Sequence, residues 1–237
     1  MAACRGMFSS VLADGETESF LDWAKLGRLT FVASAQFKFH PEFYDAGTAK
    51  RSLSIETRLM HIGRTSGKLA GAMSFHDETS SPVLEGEYQF ILVDPETRRA
   101  DQFPDWWREK FLKHVVKTEK HLIIQSKPVP TDCEIHVHEI TVLPSDIDPY
   151  LHVNWSSYLK FCLDAYTSWH IQSFGYEEKG DPFRLVHKVC MSFKGDASIG
   201  DVLCLKFWKD VLQENQAYHF HISKKAKVIQ ECTIEFY

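Results

Sequence analysis

Two stretches of this sequence repeat the same order of patterns. SVLADGETESFL and KFCLDAYTSWHI are both helix-compatible, and each carries an acid before a tiny residue, Asp14-Gly15 and Asp164-Ala165, at an offset of 150 residues. Leu53 and Leu203 share that offset inside AKRSLSIETRLMHIG and IGDVLCLKFWKDVL. Both of these segments alternate apolar and polar residues with period two, as a half-buried strand does. Each half goes on to a further alternating run (KLAGAMSF, AYHFHIS), a polar turn and a last strand (VLEGEYQFILV, KVIQECTIEFY). Glu85 and Glu231 lie 146 apart, so only a few loop residues separate the two registers. A helix followed by antiparallel strands, met twice, implies an α+β chain of two tandem units, each a sheet wrapped around one helix.

The halves are not equal. The second begins with an extra strand, CEIHVHEITVL, and a polar turn, PSDIDPYLHVN, whereas the first begins inside its helix and lacks that strand. Between them, FPDWWREKFLKHVV offers a helix start at Pro104 and Asp105 and an apolar stripe of Trp106, Phe111 and Val115. SKPVP then reads as extended linker. The expected organisation is a first unit over 1–118 with a trailing helix, a linker over 119–130 and a second unit over 131–237.

Composition removes several partners. A formal net charge of −5, from 27 basic and 32 acidic residues, supplies no polybasic field for nucleic acid or anionic membrane. Apolar runs such as QFILV are too short to span a bilayer. The N-terminal MAACRGMFSSVLADGE makes a poor signal or transit peptide, so the expected location is cytoplasmic, with a mitochondrial one left open. Six scattered cysteines without CxxC spacing read as reduced thiols packed as small hydrophobes. Cys133, His136 and His138 do not make a metal site, because a strand turns Cys133 away from the two histidines. GRTSGK at Gly63 is one residue short of a phosphate loop, and YHFHI at Tyr218 is ordinary alternation.

The polar turn is the chemical centre of the sequence: DIDPYLHVNWSSY, from Asp146 to Tyr158. By residue type alone it is equally a turn and helix N-cap, since Asp, Asn and His side chains bond nearby amides. Its spacing, D-x-D-x-x-x-H-V-N followed by Tyr158 and Leu159, resembles the signature of the hot-dog-fold thioesterases of the 4-hydroxybenzoyl-CoA thioesterase-like family. The usual form of that signature is D-x-D-x-x-G-H-V-N-N-x-x-Y-L. VDPETRRADQFPDWW likewise resembles the tail that follows the last strand in these proteins. Leu151 departs from the usual Gly, Trp155 from a second Asn and Leu163 from a helix glutamate.

The resemblance implies a tandem double hot-dog that hydrolyses an acyl-CoA to free acid and CoA without a cofactor. It also implies that FVASAQFKF and RLVHKVCMSF pair and join the sheets, and that RSLSIETRL, with no first strand beside it, is an open edge that invites a homo-oligomer. Asp148 would be base or nucleophile, with Asn154 and amides at the helix start arranging the site. His152 would be a general acid or a loop anchor. Asp146 and Tyr158 would line the substrate site, Asp146 mainly ordering the turn, and Lys188 and Lys194 could meet the CoA phosphates. Asp14 and Asp164 read as exposed helix face. The three departures leave open a non-catalytic module that binds an acyl thioester or a protein. A hot-dog dehydratase or hydratase is disfavoured, because no matching Asp/His arrangement stands out.

Overall fold

Every alternating run named above is a strand. The computed structural model describes residues 9–11, 17–47, 53–75, 81–115, 120–148, 150–175, 182–210 and 216–237. A short ribbon pairs β1 (Ser9–Val11) with β2 (Thr17–Ser19). The first unit then gives β3 (Leu29–Phe39), β4 (Leu53–Ile62), β5 (Ser66–Phe75) and β6 (Leu84–Val93), followed by helix α1 (Asp105–Leu112). The second gives β7 (His136–Thr141), helix α2 (Trp155–Phe174), β8 (Val186–Phe193), β9 (Val202–Lys209), β10 (Gln216–Lys224) and β11 (Lys227–Phe236). Among the described residues nine of these strands form one sheet, in the order β4-β5-β6-β3-β8-β11-β10-β9-β7. All its pairings are antiparallel. The order reads the same way outward from a central seam, where β3 meets β8 from Ser34↔Ser192 to Lys38↔Lys188. The seam is the expected pairing of FVASAQFKF with RLVHKVCMSF.

Helix α2 explains why the second unit is so well buried. Tyr158, Phe161, Cys162, Ala165, Tyr166 and His170 recur every three or four residues and form its buried face. They lie on Met191 of β8, Leu205 and Phe207 of β9, Ile222 of β10 and Ile234 of β11, all at most 1% exposed. Burying each such side chain contributes about 1.5–3 kcal/mol. Asn154 caps the start of the helix and Gly175 ends it at φ 72, a left-handed position that glycine adopts without penalty.

The first unit departs from the expected helix. Where SVLADGETESFL suggests one, the described residues are the two short strands and a 3-10 segment, Phe20–Lys25, with left-handed backbone at Leu21 and Asp22. Asp14 lies outside the described residues. ADGETES contains a glycine and few apolar residues, so a helix there has little face to bury. The core is closed instead by Leu21 and Leu26 with Phe103 and Trp107, against Leu59, Leu69, Phe90 and Leu92. Trp107 is fully buried and its indole N–H donates to the Leu21 carbonyl at 2.7 Å. The inward stripe leading into and along α1 is therefore Phe103, Trp107 and Phe111 at four-residue spacing, with the first pair of rings stacked at 4.4 Å and the second tilted at 4.9 Å. Trp106, expected to face inward, is exposed. Phe111 and Val115 do pack against this core.

The linker crosses the sheet on the face opposite α2. Leu122 accepts from the Ser34 hydroxyl and donates to Gln89, and Ser126 donates to Glu231 at 2.8 Å. The two edges of the sheet differ. β7 covers β9, while among the described residues no strand pairs with the outer side of β4. Leu53 and Ile55 of β4 are 56% and 55% exposed, although their repeat partners Leu203 and Leu205 are fully buried.

Candidate functional site

The Asp146–Tyr158 turn links β7 to α2 and is knitted mostly by its own backbone. Asp146 N–H donates to the Leu143 carbonyl, Asn154 N–H donates to the Asp146 carbonyl at 2.8 Å, and Asp148 and His152 pair through Asp148 N–H at 2.8 Å. Val153 N–H donates to the Ala197 carbonyl in the β8–β9 connection. The turn is thus fixed at both ends to the second unit.

Its two aspartates have different work. Asp146 is 1% exposed; one carboxylate oxygen accepts from the Leu143 N–H and the other from the Lys160 ammonium at 2.5 Å. That is a turn anchor, and the substrate-lining place that the motif gave Asp146 does not suit a carboxylate so enclosed. Asp148 is only half-buried. Its Oδ1 accepts from the Tyr150 N–H at 2.8 Å and the His152 N–H at 3.3 Å, which aims the group without enclosing it. Asn154 spends its Oδ1 on the Ser156 amide and hydroxyl as helix cap. The side-chain N–H groups of Asn154 remain donors. Next to it Trp155, the first helical residue, has an N–H with no intrahelical acceptor, as every helix start must.

Tyr158 is core: it is 2% exposed between Phe161 and Phe193, and burial raises its phenol pKa. Lys194 is a correction. Its ammonium bonds Glu231 at 2.5 Å and reaches Ser126, beneath the linker and away from the turn. Lys188 alternates with the buried Val189 and also faces away from α2, opposite Lys38 and Glu235 in register. The structure does not bring either lysine to the turn. Asp164 is exposed, as expected, and Leu163 packs against the core. His136 lies against Trp169 and Phe207 at 4.4 and 4.9 Å, and burial lowers its pKa. Gly63 simply closes the β4–β5 hairpin through its N–H and the Ser66 carbonyl.

The motif did not reveal that the first unit supplies one wall of the site. Phe31 of β3 lies 6.0 Å from the Tyr150 ring and 6.2 Å from His152, and Phe37 stacks on Trp155 at 5.8 Å. Arg98, in the hairpin after β6, donates to His152 Nε2 at 3.3 Å. Asp196 approaches the other ring nitrogen, Nδ1, at 3.6 Å. The only sequence signal for Arg98 was VDPETRRAD, whose resemblance marked the segment and not its reach, while Phe31 and Phe37 lie in FVASAQFKF, expected at the seam but not at the turn. Chemically, the arrangement offers an oriented carboxylate, a helix start with unused donors and an aromatic wall from the facing unit.

No protein-family model matches the sequence, and no curated protein matches it. Solved structures do. A protein described as an oleoyl thioesterase from Lactobacillus plantarum is 14% identical, with 90% of this chain and 77% of that one covered at a TM-score of 0.69. The 12:0-ACP thioesterase from Umbellularia californica is 13% identical, with 96% and 82% covered at 0.65. An acyl-ACP thioesterase from Bacteroides thetaiotaomicron is 15% identical, with 90% and 79% covered at 0.61. At these identities the likeness is one of fold: the chain has the hot-dog fold, in the antiparallel α+β form of double hot-dog structures.

Proposed function

We propose that the chain hydrolyses an acyl thioester to a free acid and a thiol, with one reactive site at the seam between its two units. The observation that carries this reading is Asp148, oriented by the Tyr150 and His152 backbone amides, with the His152 ring meeting Phe31 and Arg98 of the other unit. A thioester carbonyl is electrophilic enough to need few parts. Asp148 takes a proton from water as its oxygen bonds to the carbonyl carbon. The negative charge gathers on the carbonyl oxygen, where the Trp155 N–H and the Asn154 amide are donors in the positive field of the helix start. The C–S bond then breaks, the electron pair leaves on sulfur, and the proton held by Asp148 neutralises the thiolate. Phe31, Phe37, Tyr150 and Trp155 are apolar neighbours for an acyl group.

Acyl-CoA is the substrate class that the sequence motif suggests. The thioesterases of like fold that act on carrier-protein thioesters make acyl-ACP the natural comparison. A panel of both, read by thiol release, tests the activity and separates the carriers. The Trp155–Phe37 stack supports a second reading, a module that binds an acyl thioester and does not cleave it, because an indole there could occupy space that a reacting group needs. Binding without thiol release would favour that module.

A further inference from the structure

We propose that Arg98 of the first unit is a positioning residue that fixes the His152 ring, and with it the Asp148 turn. This rests on the hydrolytic reading above for its consequence in catalysis, but the contact itself can be tested without it.

A guanidinium can only donate, so the 3.3 Å contact makes His152 Nε2 an acceptor and puts the proton of the neutral ring on Nδ1. Nδ1 is buried and 3.6 Å from Asp196 Oδ2, beyond hydrogen-bond distance, which leaves its N–H as the ring's one donor. The ring is coupled to the reacting carboxylate through backbone: His152 N–H donates to Asp148 Oδ1, and the His152 carbonyl accepts from the Asp148 N–H. Whatever holds the ring holds the carboxylate.

The hairpin that presents Arg98 is built to do so. Asp94 Oδ1 accepts from the Glu96 and Thr97 amides, Arg98 N–H donates back to the Asp94 carbonyl, and Val93 bridges Ala100. Arg28 braces the base of the hairpin through Asp101 at 2.6 Å. Arg98 itself sits at φ 58, a left-handed position at which Gly or Asn costs less. A long cation kept in a strained slot, reaching across the seam to a ring of the facing unit, is poorly explained by a role in the hairpin alone.

The test replaces Arg98 by Asn, which suits the left-handed backbone and is too short to reach His152, and by Lys, which keeps the charge. Imidazole ¹⁵N shifts of His152 in the full chain read the tautomer, and steady-state kinetics with acyl-CoA and acyl-ACP read catalysis. The wild-type ring should be protonated at Nδ1. Arg98→Asn should lose that preference and lower kcat by about 10- to 100-fold with KM little changed, while melting no lower than wild type. Arg98→Lys should recover part of both. A tautomer indifferent to Arg98→Asn overturns the clamp, and a changed tautomer with wild-type kcat overturns its role in catalysis. If the wild-type protein hydrolyses neither substrate, the hydrolytic reading fails instead, and the ¹⁵N measurement still decides the contact.

Discussion

Leu151 holds φ 64 and is 71% exposed, at the position where the resembled signature usually has glycine. A leucine there costs about 1–2 kcal/mol in the left-handed region, and glycine returns part of that through its freer unfolded chain. Leu151→Gly should therefore raise stability by about 0.5–1 kcal/mol, read as a higher urea midpoint with unchanged slope. A fall would mean that the side chain makes a contact worth more than its strain. Asp146→Asn should do the reverse, because it weakens the charge-assisted bonds to Lys160 and the Leu143 amide. A loss of about 1–3 kcal/mol is expected in the same titration. The spacing of the sequence singled out Asp146 and Asp148. Their different settings were not legible there, since they depend on Lys160, fourteen residues on, being swung over Asp146 by the first turns of α2.

Elements were legible where period and length agreed. The alternating runs became strands, and the long apolar stripe after Asn154 became α2. The helix expected over SVLADGETESFL is not found in its described residues, where Ser9–Val11 and Thr17–Ser19 are strand, and the unit closes its core with Trp107 from a later element. Trp106 and Trp107 are both helix residues, and only the Phe103-Trp107-Phe111 spacing tells which one faces inward. The linker makes an element-scale prediction about pH. Burial works to raise the Glu231 carboxyl, but the Lys194 ammonium and Ser126 hydroxyl outweigh it and hold the pKa low. Burial lowers His221, which also faces Glu231, Lys194, His219 and the Lys127 backbone. A depressed carboxylate loses its stabilising contribution as pH falls through its folded pKa. A depressed imidazole begins to lose its contribution as pH falls below the ordinary 6.5. Both therefore loosen the linker on acidification. Hydrogen exchange across residues 120–127 should quicken from about pH 6.5 downward, beyond the intrinsic change, and Glu231→Gln should blunt the effect. Protection independent of pH would contradict it.

At the scale of the whole molecule, the seam and the unequal edges decide most. The seam was legible through the resemblance to the hot-dog fold, which implies that the units pair through FVASAQFKF and RLVHKVCMSF. The cross-seam reach of Arg98 and Phe31 was not, because nothing local to a hairpin says which unit it will touch. The open β4 edge, with Leu53 and Ile55 exposed, should pair with β4 of a second copy, an antiparallel and self-complementary contact. Sedimentation equilibrium should show a concentration-dependent dimer that Ile55→Lys abolishes, and a monomer at every concentration contradicts this. The central claim is that one site at the seam cleaves a thioester through Asp148. Thiol release from acyl-CoA and acyl-ACP by wild type and Asp148→Asn, with the fold of each verified by circular dichroism, tests it most directly. Asparagine keeps an oxygen for the Tyr150 N–H and removes the charge, so turnover should fall by about 10²–10⁴. Wild-type turnover in a folded Asp148→Asn protein would contradict the account.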